Sequence, residues 1–185
     1  MAKFFDAIQP DIQTFIARQK LFFVATAMAE GRVNLSPKGM DTLRLLDDHT
    51  VCFLNLTGSA NETAAHLAEG GRITFMFCSF EEQPLIVRLY GQGRVIHPRD
   101  AEWTPLLAQF PDLPGKRQII VATIDLVHTS CGYGVPFFTF QGERAQLLRW
   151  ADKKGEEGIR TYWQEHNQTS IDGVPTRILA DPAAR

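Results

Sequence analysis

From Leu21 to Leu56, and again from Arg72 to Ile96, apolar residues come in short runs cut by glycine, proline or adjacent acidic residues. Runs this short, rich in aromatic and β-branched side chains, bury themselves as strands, and the interruptions become turns. Residues 21–27, 32–36, 42–46, 51–56, 72–80, 85–96 and 119–128 are therefore expected strands, with 137–140 as one further short one. Within 72–80, Ile73, Phe75 and Phe77 point one way and Thr74, Met76 and Cys78 the other. Both faces are largely apolar, as in a central strand. In 85–96, Leu85, Val87 and Leu89 oppose Arg88, Tyr90, Gln92 and Arg94, while Gly91 and Gly93 permit tight coiling. About seven strands with short helices between them imply a mainly β fold with helices (α+β), closed or nearly closed into a barrel.

Helical periodicity fills the intervals. Ile8, Ile12, Phe15 and Ile16 recur at helical spacing around Pro10, which predicts an opening helix to about Lys20. Ser59-Ala60-Asn61-Glu62 reads as a capping box before a short helix with Ala64, Leu67 and Ala68 on one face, stopped by Gly70-Gly71. Trp103, Leu106, Leu107 and Phe110 form a stripe after Pro98. From Glu143 the pattern is helical with a break at 155–158, and Asp172-Gly173 predicts a turn in the tail beyond Thr169. The 185 residues suit one domain over 1–185, with a barrel core over about 20–142 and a helical segment over about 143–168.

Nineteen basic and twenty-one acidic residues nearly cancel, which argues against a nucleic-acid partner. The three cysteines are far apart and make no disulfide framework. No uninterrupted apolar run reaches the ~18 residues of a membrane span, and the start of the chain is not a secretory signal. The expected location is cytoplasmic. Walker, G-x-G-x-x-G, H-E-x-x-H and G-x-S-x-G motifs are absent. His128 and Cys131 are too few for a structural zinc, so no metal is expected. No residue stands out as a catalytic acid or base.

The stretch from Val33 to Thr63 carries the most chemistry. Pro37 and Gly39 end a strand so that Lys38 sits in a turn. Two strands later, Gly58 breaks the chain into a helix start bearing Ser59, Asn61 and Thr63. Unpaired amides at such a start favour an anion, and Lys38 can add a full positive charge. The expectation is a phosphate-binding corner.

The run FFVATAMAEGRVNLSPKGMDTLRLLDDHTVCFLNLTGSANETAAHLAEGGRITFMFCSF, continuing into LIVRLYGQGRVI, resembles the pyridoxamine 5′-phosphate oxidase-like flavoproteins over about residues 20–97, and more weakly to Gly142. That resemblance implies a split β-barrel homodimer binding FMN at its interface. It places phosphate and ring contacts on Val33, Asn34, Leu35, Ser36 and Lys38, and on Thr57, Gly58, Ser59, Asn61 and Thr63. Where the oxidase has an Arg-Lys pair on the phosphate, this chain has Ala60 and Asn61. Cys131 and Tyr133 are assigned to the substrate side. No match exists to the oxidase's basic residues for pyridoxal phosphate, which points to another branch of the family. The implied activity is two-electron oxidoreduction of a small, unidentified substrate. The alternatives are a non-enzymatic flavin or haem carrier or sensor, and a deazaflavin (F420) reductase.

Overall fold

The computed structural model describes residues 2–180. Its strands are β1 (Lys3–Phe5), β2 (Phe22–Thr26), β3 (Asn34–Lys38), β4 (Leu43–Leu45), β5 (Thr50–Leu56), β6 (Arg72–Cys78), β7 (Ile86–Ile96) and β8 (Lys116–Ser130). The helices are α1 (Pro10–Arg18), α2 (Glu62–Glu69), α3 (Trp103–Leu107) and α4 (Gln146–His166). All strands join one antiparallel sheet in the order β3-β2-β6-β7-β8-β5-β4, with β1 added beside β8. Lys38 on β3 donates from Nζ to Asn55 Oδ1 on β5 at 3.1 Å, although four strands lie between those two in the order. The sheet is therefore curled until its ends meet, leaving a seam along β3. This is a split barrel.

β2 to β8 each overlap one of the seven stretches expected to be strands. Phe22, Val24, Phe53, Phe75 and Phe77 meet inside the barrel, with Phe22 and Phe53 edge-on at 6.0 Å. Ile12, Phe15 and Ile16 of α1 join this core. The opposite face of β5 and β8 buries Cys52, Leu54, Ile119 and Val121 under Phe110 and the side chains of α3. β5 is therefore buried on both faces. Gly91 lies at a bulge where β7 crosses β8, and a Cβ there would sit 1.9 Å from the Thr123 carbonyl oxygen. Only glycine lets the two backbones approach so closely.

Several expectations are corrected. β1 was not foreseen, and 137–140 forms no strand. Pro37 does not end β3. It lies within it, opposite Phe23, because an edge strand tolerates the missing amide. Lys38 is consequently a strand residue, and the turn follows it with Met40 and Asp41 both at positive φ. The Ser59 capping box does not form: α2 begins at Glu62, its cap position is Asn61, and Ala68 is exposed. α3 starts five residues after Pro98. The break expected in the last helix is a kink at Gly155, where φ is 63°. No helix among the described residues is long and apolar enough to cross a membrane.

Candidate functional site

β3 reverses the usual polarity of a strand. Val33 just before it and Leu35 within it are 73% and 65% exposed, whereas Asn34 is buried and Ser36 and Lys38 are half-buried. Successive side chains alternate across a sheet, so β3 turns its polar residues into the barrel seam and its apolar ones out.

Each inward residue has a definite partner. Asn34 Nδ2 donates to Thr26 Oγ1 and Thr63 Oγ1, both at 3.1 Å. Ser36 Oγ donates to Asn34 Oδ1 at 2.9 Å. Thr26 Oγ1 in turn shares a 3.0 Å hydrogen bond with Nδ1 of His66, which is fully buried and whose Nε2 has no partner among the described residues. This network fastens β3 to the first turn of α2. Strand and helix start are thus side by side.

Lys38 occupies the other end of the seam, its ammonium 5.7 Å from the centre of the Phe53 ring and bonded to Asn55. Asn55 Nδ2 reaches Gln118 Oε1 on β8 at 3.4 Å. Beside Gln118 is Arg117, a residue with no motif to mark it in the sequence. It is only 4% exposed, donating from Nη1 to Gly58 O at 3.1 Å and from Nη2 to Ala60 O at 2.9 Å. Burial, helped by the nearby Arg117 charge, lowers the Lys38 pKa to about 8. Burial lowers that of Arg117 to about 10, against the opposing pull of Tyr162 and Glu62. No carboxylate among the described residues forms a salt bridge with either cation. Desolvating two like charges together is costly, and an anion in the seam would relieve it.

The remaining expected residues divide. Thr57 and Gly58 are in the corner, but they also hold the C-terminal segment. Trp163 Nε1 donates to Thr57 Oγ1 at 2.9 Å, and Asn167 Nδ2 to Gly58 O at 3.0 Å. Asn61 is wholly engaged there: its Nδ2 donates to the His166 and Thr169 carbonyls at 2.8 and 2.9 Å, and its Oδ1 accepts from Asn167. Ser59 is exposed beside them. Arg32 is tied to Asp172 of the same tail through an ion pair and a 2.8 Å backbone bond. Cys131 and Tyr133 are not brought to this corner. They follow β8, four strands from β3, both exposed and Tyr133 at 83%. An open groove of about 940 Å³ adjoins the turn after Lys38, lined among others by Lys20, Gly39, Arg44, Phe77, Phe140 and Glu143. No group of three or more His, Cys, Asp or Glu among the described residues could hold a metal ion.

Arg117, Gln118 and Asn167 are the site residues that sequence reasoning missed. Their side-chain partners are 57 to 109 residues away, so no local pattern announces them.

Among solved structures, HupZ of Group A Streptococcus superposes with a TM-score of 0.52 at 23% identity, over 64% of this chain and 91% of that one. A protein assigned as a pyridoxamine 5′-phosphate oxidase from Lactobacillus delbrueckii gives 0.54 at 21% identity, over 66% and 94%. Both likenesses are of fold. Sequence carries kinship further: a pyridoxamine 5′-phosphate oxidase family protein of Aspergillus flavus, ustO, is 33% identical over 95% of this chain and 78% of its own length. The family model described as pyridoxamine 5′-phosphate oxidase matches residues 8–131, which spans the barrel from just before α1 to the end of β8. With the split barrel in place and its seam on the strand the resemblance singled out, the chain belongs to the pyridoxamine 5′-phosphate oxidase family.

Proposed function

We propose that this chain is an FMN-binding oxidoreductase acting on a small molecule, built as one split-barrel domain and working as a homodimer with the flavin at the interface. The observation that carries the reading is the pair of desolvated cations, Lys38 and Arg117, with no salt-bridged carboxylate among the described residues. A phosphate monoester is close to a dianion at neutral pH and answers that charge. Arg117 Nε, buried and without a hydrogen-bond partner among the described residues, is a further sign that the corner is arranged for an acceptor.

In this reading Lys38 holds the phosphate directly, with Ser36 and the exposed Ser59 as hydroxyl donors and the Thr57–Gly58 backbone fixing their spacing. Asn34 and Thr63 act from behind, since their side chains bond each other. Asn61 positions the helix start through its bonds to the tail. The open edge of β3 at Val33–Leu35 offers backbone donors and acceptors to a flat ring. The bound flavin supplies the two-electron chemistry. A second copy covers exposed Val33, Leu35 and Phe4, together with Tyr133, Phe137, Phe138 and Phe140 of the loop after β8. The same contact would deliver the partner copy's Cys131 and Tyr133 to the substrate side.

The test is titration of purified full-length protein with FMN, followed by fluorescence quenching, with sedimentation on the same sample. Saturable binding by a dimer is the expected result. Protein that fails to quench FMN at concentrations well above the micromolar range would overturn the proposal.

A further inference from the structure

The helix start at Ser59, Ala60 and Asn61 carries no cation of its own, yet a guanidinium reaches it from another strand. β5 and β8 pair regularly down to Asn55 opposite Gln118, and then Leu56 faces Lys116. Arg117 is the residue skipped by this shift. A bulge of this kind turns a side chain toward a face it would otherwise miss. Here it directs a long cationic side chain inward, where it becomes almost fully buried.

The two hydrogen bonds of Arg117 have a geometric consequence. They draw the Gly58 and Ala60 carbonyls toward β8. In a trans peptide the C=O and the following N–H point in opposite directions. Holding the Gly58 carbonyl inward therefore turns the Ser59 N–H outward, beside the exposed Ser59 hydroxyl. The Asn61 amide does not compete for that place, because it donates to Glu62 Oε2 at 3.0 Å. Glu62 is itself occupied on its other oxygen by the Ile171 amide. Arg117 thus supplies positive charge at the seam and aims one amide of the turn, while its Nε stays without a partner.

We infer that Arg117, thrown inward by the β8 bulge, is the phosphate-positioning residue of the site: it makes the pocket select a phosphorylated ligand over its dephosphorylated form. This rests on the flavin reading above and goes beyond it, because flavin binding does not by itself require phosphate selectivity.

FMN and riboflavin differ only by the phosphate, so the ratio of their dissociation constants isolates its recognition. Both are titrated against the wild-type full chain, Arg117→Met and Arg117→Lys, with fluorescence quenching as the readout. The wild type is expected to prefer FMN. Arg117→Met should lower the FMN preference at least tenfold while changing riboflavin affinity about twofold or less, and Arg117→Lys, which keeps the charge but not the fork, should retain an intermediate preference. If both ligands weaken together, or the ratio is unchanged, Arg117 only supports the fold and the inference is overturned. Should Arg117→Met not fold, the Lys variant decides: a ratio equal to wild type overturns the inference. Wild-type protein binding both flavins equally would sink it while leaving the flavin reading intact. Binding of neither would remove both.

Discussion

Raising the pH from 7 to 9 should weaken FMN binding about tenfold and at the same time stabilise the ligand-free protein. Lys38 is the cause of both. With a pKa near 8 its amine is roughly nine-tenths protonated at pH 7 and roughly one-tenth at pH 9. A phosphate that binds the ammonium must then first recover its proton, so affinity falls by up to about tenfold over that interval. The phosphate itself stays a dianion throughout, its second pKa being about 6. Stability moves the other way. The folded pKa lies below the unfolded one, so between about pH 8 and 10.5 the unfolded chain binds more protons than the native one. The burial penalty on the charged amine is therefore fully present below pH 8 and is relieved as pH rises, by up to about 2 kcal/mol at pH 9.5. Lys38→Met should remove both slopes and weaken FMN at pH 7 by about ten- to a hundredfold, the loss of one charge-assisted contact of about 1.5–3 kcal/mol. Fluorescence titration and urea unfolding, each in steps of pH from 7 to 9.5, are the assays. A flat FMN dissociation constant in the wild type, or the same slope in Lys38→Met, would refute the placement of the phosphate at this lysine.

Asn61→Ala leaves the His166 and Thr169 carbonyls without their donor and should cost about 2–3 kcal/mol in urea unfolding; a loss below about 0.5 would mean that the tail is held elsewhere. Gly91→Ala forces a methyl group to 1.9 Å from the Thr123 carbonyl oxygen, so more than about 3 kcal/mol or outright insolubility is expected, and near-native melting would contradict the close strand crossing. Leu35→Asp puts a charge on the exposed face of β3 without touching the buried network. Sedimentation should show monomer and FMN affinity should fall with it, whereas a persistent dimer would place the interface on another surface.

The barrel was legible because burial repeats every second residue in its long strands. Phe75 and Phe77 of β6, and Val87 and Leu89 of β7, are inside, as their alternation requires. β1 was not legible. Its three residues have no pattern of their own, and Phe4 gains its place by pairing opposite His128, 124 residues away. Phe137–Phe140 shows the converse, since aromatic content suggests a strand, whereas Phe138 donates its N–H to the Phe80 carbonyl at 3.2 Å without building a ladder. At the site, Lys38 and the Asn34–Ser36 pattern were visible as local chemistry. Asn61 was ambiguous, because a short amide near a helix start suits a cap, an anion ligand or a long-range clamp equally well. In the structure its side-chain amide bonds partners more than 100 residues away. Arg117 was hidden for a related reason: its direction depends on a bulge, and a bulge is a property of two strands in register.

The reversed polarity of β3 ties these features together. An edge strand with unpaired backbone groups is a liability, and folds commonly protect it with charge, proline or a cover. Here Pro37 is present, but the charge points inward and the outward positions are Val33 and Leu35. A barrel evolved to stand alone would gain by exchanging the two faces, with Lys38 in water and the apolar pair in the seam. Keeping them as they are costs the desolvation of an ammonium and the exposure of two aliphatic side chains. Both costs fall on one five-residue strand and its neighbour, and under the proposed function each would be removed by a different partner, an anion inside and a second copy outside. Because the two partners meet on opposite faces of the same backbone, ligand binding and dimer formation should be coupled through β3, each favouring the arrangement that the other needs.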